Sequence, residues 1–429
     1  MSLTAITWLL LYVIALVAAV VGYPVYALLG YLLEYYQRPD LSWWGRDVPD
    51  LRWNFTIAAV AAASYFIHRG SLDARRRVVM LPLFLMLAQA INTSIVTLWA
   101  VDTDLSWRWS VAYWKLVVTY FLFSGILRNA RALNLVILCQ MIGAAYWGWD
   151  ALDARRQNTR LEGIGSGDTQ NSNTLGAHVL TIIPLVIVFA FMKDPMWMRG
   201  VAIVCLPLIV NLLILANSRG ATLGFVVAGA ASIFLVRAGI RKFVLVGGAV
   251  AALALYVLAD DQFVARQQTI VDSSDGSATT RLELWAGALR LVSDYPFGTG
   301  GRGFHILSPR YLPELGETMG EGRSAHNTYI QVTAEWGVQG LILFVLLIGY
   351  TFVMLRRTRR ERVEADRAYY TSLGLELGLI ATLVAGFFSN RFFGESIYWL
   401  CGMATALYSM NYDGTKSVVP AEGPQRAAA

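Results

Sequence analysis

Apolar runs of roughly 17 residues or more recur along the chain, and each is long enough to cross a bilayer core of about 30 Å. They fall at about 5–36, 53–68, 78–98, 111–127, 132–148, 175–192, 200–216, 220–236, 243–259, 330–355, 369–389 and 396–411. With the first run counted once, this pattern predicts about twelve transmembrane helices. The first run is too long for one straight span and contains Gly22-Tyr23-Pro24. Proline breaks the helical hydrogen-bond ladder, so this run is either one kinked span or two short helices. Only helices or closed barrels satisfy the backbone inside lipid, and these runs are too long for barrel strands. The fold class is therefore an all-α polytopic membrane protein. Residues 1–411 are expected to form one transmembrane domain, and residues 412–429 a disordered cytoplasmic tail. No internal repeat is visible.

The polar segments between the runs set the orientation. His68–Arg77, Arg128–Arg131, Lys193–Arg199, Arg237–Lys242 and Arg356–Arg362 alternate with the other loops and are rich in Arg and Lys. By the positive-inside rule they are cytoplasmic. The opposite face then carries 37–52, 99–110, 149–174, 217–219, 389–395 and the one large loop, 260–329. Twelve spans put both termini in the cytoplasm; two spans in the first run would move the N-terminus outside. That first run has no Lys or Arg before Arg38, so it lacks the basic start of a cleavable signal and is expected to be retained.

Composition agrees with this pattern. Charged residues are 15% of the chain, against about 25% in ordinary soluble domains. The net charge of +6 is explained by the cytoplasmic loops and gives no reason to expect nucleic acid. Cys139, Cys205 and Cys401 all lie within apolar runs and read as packing residues.

The external face nevertheless carries many arginines: Arg155, Arg156, Arg160, Arg219, Arg266, Arg281, Arg290, Arg302, Arg310 and Arg323. Arginine suits phosphate oxygens through its fork of donors, so this set points to an anion. Ser218 can cap the helix after it, which places Arg219 in a first turn that already favours anions. Thr280-Arg-Leu-Glu283 fits a capping box, placing Arg281 at the start of an amphipathic helix with an apolar stripe of Leu282, Trp285, Leu289 and Val292. Arg160 opens a glycine-containing loop before the next span. Gly298-Thr-Gly-Gly-Arg-Gly303 matches no nucleotide motif and reads as a turn, with weak potential as an anion nest.

The segment Ser324-Ala-His-Asn-Thr-Tyr-Ile-Gln-Val-Thr-Ala-Glu335 leads from the large loop into an apolar helix. A helix starting near Ser324 would put His326, Ile330, Thr333 and Gly337 on one face, and Asn327, Gln331 and Glu335 on the adjacent one. Polar groups heading a membrane helix are functional candidates by default. Histidine titrates near neutrality and can take a proton from a hydroxyl. Gly337 and Gly340 would allow close helix packing. His178, His305 and His68 read as packing or peripheral residues. Asp102-Thr-Asp104 is a weak metal signal, no His/Cys metal spacing occurs, and neither metal nor cofactor is expected.

Ser218-Arg-Gly-Ala221, Arg281 to Trp285, Pro296 with Gly298 and Gly300, and His326-Asn327 with Glu335, Gly337 and Gly340 together resemble the core of the bacterial O-antigen ligase and O-antigen polymerase superfamily. The motifs run from Arg219 to Tyr350. The resemblance implies about twelve transmembrane helices with a large periplasmic loop holding an amphipathic helix, a GT-C-like glycosyltransferase architecture. It implies a multi-pass protein of the bacterial inner membrane with a periplasmic active site. It implies transfer of a glycan from undecaprenyl pyrophosphate to a sugar hydroxyl of lipid A–core, with inversion and without metal. His326, Arg219 and Arg281 would then be catalytic, with Arg160, Asn327, Gln331 and Glu335 binding substrate. An O-antigen polymerase or a protein O-oligosaccharyltransferase of the same superfamily is the alternative.

A transporter of lipid-linked glycan is the alternative from another class. It would show inverted repeats and ionisable groups at midplane. Here the polar groups gather at the external ends of helices. An assembly scaffold without chemistry is a further alternative, separable by turnover of the pure protein.

Overall fold

The computed structural model describes residues 1–49, 51–70, 79–154, 161, 163–169, 171–192, 196–258, 263–264, 276–312, 322–362 and 365–411. Among these residues the chain is helical, with no strand. The helices are α1 (Leu3–Val21), α2 (Val25–Gln37), α3 (Trp53–Ile67), α4 (Leu81–Val96), α5 (Thr103–Ile126), α6 (Ala130–Ala154), α7 (Ser172–Phe191), α8 (Met196–Ala216), α9 (Arg219–Leu235), α10 (Ala238–Leu258), α11 (Gly276–Asp294), α12 (Gly303–Tyr311), α13 (Thr328–Arg360), α14 (Arg367–Ala385) and α15 (Glu395–Asn411). Seven of the described helices are long and apolar enough to cross a membrane, and α3 and α9 are shorter apolar helices. The protein is an all-α polytopic membrane protein, as the apolar pattern predicts. The tail 412–429 lies outside the described residues.

The first apolar run is two helices. Pro24 stands at the start of α2, where its missing N–H costs nothing. The two helices fold back on each other: a Cβ on Gly30 would stand 2.9 Å from that of Ala15. The Ser2 backbone N–H donates to Asp47 at 2.6 Å, and Trp8 packs on Trp44 and Trp53. The N-terminus therefore sits beside the 38–49 segment, which is the two-helix alternative of the first run. A kinked span would have kept the helical direction; Gly22 and Pro24 reverse it.

Contacts at the other end of the bundle join the basic segments. Arg128 donates to the Tyr65 hydroxyl at 3.2 Å, and Asn129 to Tyr23, between α1 and α2. Arg237 donates to the Arg362 carbonyl and lies over the Tyr369 ring. The buried carboxylate of Glu376 is paired by Arg359 and Arg356.

Small residues bring α14 against α7 and α9. A Cβ on Gly378 would meet the Thr181 carbonyl at 2.8 Å, and one on Gly224 the Ala381 carbonyl at 2.4 Å. Such approach is how helices associate where lipid supplies no hydrophobic drive. A second, smaller core of Leu284, Ala288, Leu291, Phe304, Leu312, Ala325 and Ala334 joins α11 and α12 to the head of α13.

Candidate active site

The site begins at a broken helix. α13 is interrupted at Gly337, whose φ of 78° and ψ of 172° are not helical. A break frees backbone groups that must be satisfied. The glycine-rich segment predicted to be a turn supplies the partners. Thr299 N–H donates to the Ala334 carbonyl at 3.1 Å, Gly300 N–H to Glu335 at 2.9 Å, and Val338 N–H to Pro296 at 3.0 Å. Asn92 of α4 donates to the Trp336 carbonyl at 3.0 Å. Gly298 must be glycine, because its φ is 95° and a Cβ would stand 2.6 Å from the Glu335 carbonyl. The segment is thus backbone support rather than an anion nest. Gly337 is a break, and only Gly340 makes close packing, against Trp336, Asn92 and Gln89.

His326 lies before the helix, not on it. Asn327 is the N-cap: its side chain accepts from the N–H groups of Tyr329 at 3.0 Å and Ile330 at 3.2 Å. The shared helical faces expected from a start at Ser324 therefore do not form at 324–327. An Asn can end that stretch because its oxygen competes for the first helical donors. His326 adopts a φ of 47° and is exposed.

Gln331 and Glu335 hold this turn from behind. The Gln331 carbonyl oxygen accepts from Ala325 N–H at 2.8 Å and from the Ser324 hydroxyl at 3.1 Å. The Gln331 amide donates to the Glu335 carboxylate, beside which lie the backbone N–H and charge of Arg302. Both residues are buried. Trp285 of α11 donates to the Ala325 carbonyl at 3.0 Å. Crowding by protein, with the charges of Arg281 and Arg323 added, holds the His326 pKa below the usual histidine value. The Arg323 Nε is buried with no hydrogen-bond partner among the described residues.

Arg219 is the first residue of α9, and Ser218 is its N-cap, accepting from Ala221 N–H at 3.4 Å. Ser218 also donates to Asn173 at 3.0 Å, which ties this end to the start of α7. Arg281 is not at a helix start, since α11 begins at Gly276 and carries Thr280 and Glu283 inside it. The helix buries Leu284, Ala288 and Leu291, whereas Leu282 and Leu289 of the expected stripe are 63% and 55% exposed. The neighbouring stripe won because α12 and α13 cover it.

The segment between α14 and α15 gathers these parts. Thr328 N–H donates to the Gly386 carbonyl at 2.7 Å, and the Thr328 hydroxyl to the Ser389 carbonyl at 2.7 Å. Phe388 packs on Gly220, next to Arg219, and its ring centre is 5.9 Å from the Arg281 guanidinium carbon. Arg391 is buried and donates to the Asp168 carbonyl, just before α7, at 2.9 Å. His326, Arg219 and Arg281 are so brought around one segment, beside the N-termini of α9 and α13. Arg160, with Arg155, Arg156 and Arg266, lies outside the described residues.

Phe388, Arg391, Asp168 and Tyr35 were not singled out from sequence. Asp168 accepts from Tyr35 at 2.6 Å and from Ser166 at 2.9 Å. Burial opposes its charge, but Arg391, His178 and these hydroxyls outweigh it and hold the carboxyl below its ordinary pKa. One signal was legible: Ser389-Asn-Arg391 puts an arginine in a very short loop between apolar helices. His178 is a packing residue, set between the Tyr35 and Tyr36 hydroxyls at 3.3 and 3.2 Å. Asp102, of the weak metal signal, caps α5 by accepting from Leu105 N–H at 2.8 Å.

A family model described as O-Antigen ligase matches residues 201–345, a stretch that holds Arg219, Arg281, His326, Gln331 and Glu335. The O-antigen ligase of Pseudomonas aeruginosa is 28% identical over 261 residues. That alignment covers 59% of this chain and 58% of that protein, less than two thirds of its length. Both findings support the O-antigen ligase superfamily and bear out the resemblance drawn from the motifs.

Proposed function

We propose that this protein is an O-antigen ligase of the bacterial inner membrane. It transfers a glycan from undecaprenyl pyrophosphate to a sugar hydroxyl of lipid A–core on the periplasmic face, completing lipopolysaccharide. The observation that carries the reading is the gathering of Arg219, Arg281 and His326 around the 386–391 segment. This gathering supports the reading because guanidinium cations suit a pyrophosphate and a histidine suits the proton of a hydroxyl.

The reaction is a single displacement. The acceptor hydroxyl oxygen bonds to the anomeric carbon, and the bond from that carbon to the pyrophosphate oxygen breaks, inverting the centre. The hydroxyl proton passes to the His326 imidazole, which its surroundings keep neutral and ready to accept it. Undecaprenyl pyrophosphate leaves with one more negative charge than it had as donor. Arg219, at the positive end of α9, and Arg281 stabilise that charge as it builds. Arg160 would add to this anion site. Gln331 and Glu335 act by fixing the turn that presents His326, and Asn327 by capping the helix beneath it. The apolar outer surface of the bundle holds the polyprenyl chain among membrane lipids.

The test is ligation by the purified protein with lipid-linked donor, offered lipid A–core, a second lipid-linked glycan or a pilin-type protein in separate arms. Product only with lipid A–core is expected. Full turnover by both His326→Ala and Arg219→Ala would overturn the proposed roles, and loss of activity in EDTA would return attention to Asp102 and Asp104.

A further inference from the structure

Phe388 touches both cationic sides of the proposed site. A Cβ on Gly220 would stand 2.7 Å from the Phe388 Cβ and 3.0 Å from its Cδ2, so the ring lies flush on the first turn of α9. Arg219 immediately precedes Gly220. The Arg281 guanidinium of α11 stands over the same ring, 5.9 Å from its centre. One aromatic side chain therefore lies between the cation of α11 and the first turn that carries the cation of α9.

The ring is itself held in place. On its N-terminal side the Gly386 carbonyl is fixed by Thr328 N–H, and Phe387 packs on Tyr329 with ring centres 4.6 Å apart. On its C-terminal side Ser389 accepts from the Thr328 hydroxyl, and the same hydroxyl accepts from Arg391 N–H at 2.9 Å. The Arg391 side chain is anchored on Asp168. Phe388 is only half-buried, so its surroundings are firm while the site remains open.

We infer that Phe388 is a positioning residue for the proposed transfer: its ring holds the Arg281 guanidinium near the start of α9, so that Arg219 and Arg281 grip the two phosphates of one pyrophosphate. The inference rests on the reading of these arginines as pyrophosphate ligands. A guanidinium is attracted to an aromatic face, and its planar fork of donors suits phosphate oxygens. A long side chain already confined loses less freedom when the ligand arrives.

The experiment measures binding of undecaprenyl pyrophosphate and steady-state turnover by the full-length protein in lipid nanodiscs. The variants are Phe388→Tyr, Phe388→Leu, Phe388→Met, Arg281→Ala and Phe388→Leu with Arg281→Ala. Phe388→Tyr keeps the ring and is expected to bind within about twofold of wild type. Phe388→Leu and Phe388→Met fill the space without a π face and are expected to bind about tenfold more weakly. Their kcat/KM for the lipid-linked donor falls in parallel, with KM for the acceptor unchanged. In the Arg281→Ala background, Phe388→Leu adds no further loss of binding. Two variants without the ring guard against one that fails to fold. Equal losses in the Tyr, Leu and Met variants, no loss in Leu and Met, or additive losses in the double variant would overturn the inference. Wild-type binding by Arg281→Ala would instead bring down the pyrophosphate reading itself.

Discussion

Arg391 reaches across from the segment before α15 to Asp168, the residue that anchors the loop before α7. Its guanidinium donates to the Asp168 carbonyl at 2.9 Å and faces the carboxylate at 3.5 Å. The arginine is 1% exposed, so removing it takes the main compensating charge from a largely buried carboxylate and leaves only hydrogen bonds such as those from Tyr35 and Ser166 to offset it. Breaking such a pair costs about 3–5 kcal/mol. Arg391→Ala should lower the melting temperature in detergent by several degrees. The sign with pH follows from the Asp168 carboxyl, which titrates below its ordinary range in the folded protein. Its contribution is present at neutral pH and is lost as pH falls through that lowered value. The Arg391→Ala protein should therefore differ most from wild type near neutrality, and differ less in acid. A melting temperature unchanged at pH 7 would show that the pair contributes nothing.

The break in α13 gives a second expectation. Gly298 carries a φ of 95°, and a Cβ there would strike the Glu335 carbonyl at 2.6 Å and the Gly337 nitrogen at 2.6 Å. Positive φ alone costs about 1–3 kcal/mol for other residues. The clash is with backbone, which cannot swing aside as a side chain would. Gly298→Ala should abolish ligation and lower thermal stability, whereas Gly349→Ala in α13, where a Cβ would meet open space, should do neither. Equal behaviour of the two variants in a detergent melt would contradict the paired-segment account.

Much of this was legible in the chain, and the exceptions have a common physical cause. The apolar runs gave the helices, because lipid forces the backbone to bond within each one. Ser218 gave the start of α9, because its capping oxygen lies directly before an apolar run. Within the large loop the same signs misled. Thr280 and Glu283 fit a capping box, yet the helix starts at Gly276. The apolar stripe through Leu282 and Leu289 was equally helical in period, but tertiary cover chose Leu284, Ala288 and Leu291. The external arginines and the polar entry to a membrane helix, with the family resemblance added, were the signal that led to His326, Arg219 and Arg281. It did not lead to Phe388 or Arg391, whose importance comes from what folds against them across more than 100 residues of sequence.

Gln331 offers a test of how the turn before α13 is supported. Its oxygen takes two donors from residues 324 and 325, and its amide donates to Glu335. Gln331→Ala would leave the Ala325 N–H and one carboxylate oxygen buried without partners. Buried groups left unpaired cost about 1–3 kcal/mol each. If that cost appears as loosening of the turn, kcat should fall about tenfold, with little change in the binding of undecaprenyl pyrophosphate at Arg219 and Arg281. Weaker pyrophosphate binding with normal kcat would assign Gln331 to the donor side instead.

The pH profile tests His326 as the group that takes the proton. The protein crowded around His326 and the charges of Arg281 and Arg323 hold its pKa below the usual histidine value. A depressed pKa keeps the imidazole neutral to lower pH, so a base of this kind stays active below the range where an ordinary histidine would be protonated. The acid limb of kcat should therefore lie on the acid side of the ordinary histidine range, with turnover flat above it. Arg323→Gln removes one of the two neighbouring positive charges and should move that limb to higher pH, toward the ordinary value. Arg281 cannot serve this test, because its loss would also weaken the proposed pyrophosphate site. An acid limb that stays in place in Arg323→Gln would mean that some other group governs proton removal, and His326 would then hold the acceptor without accepting its proton.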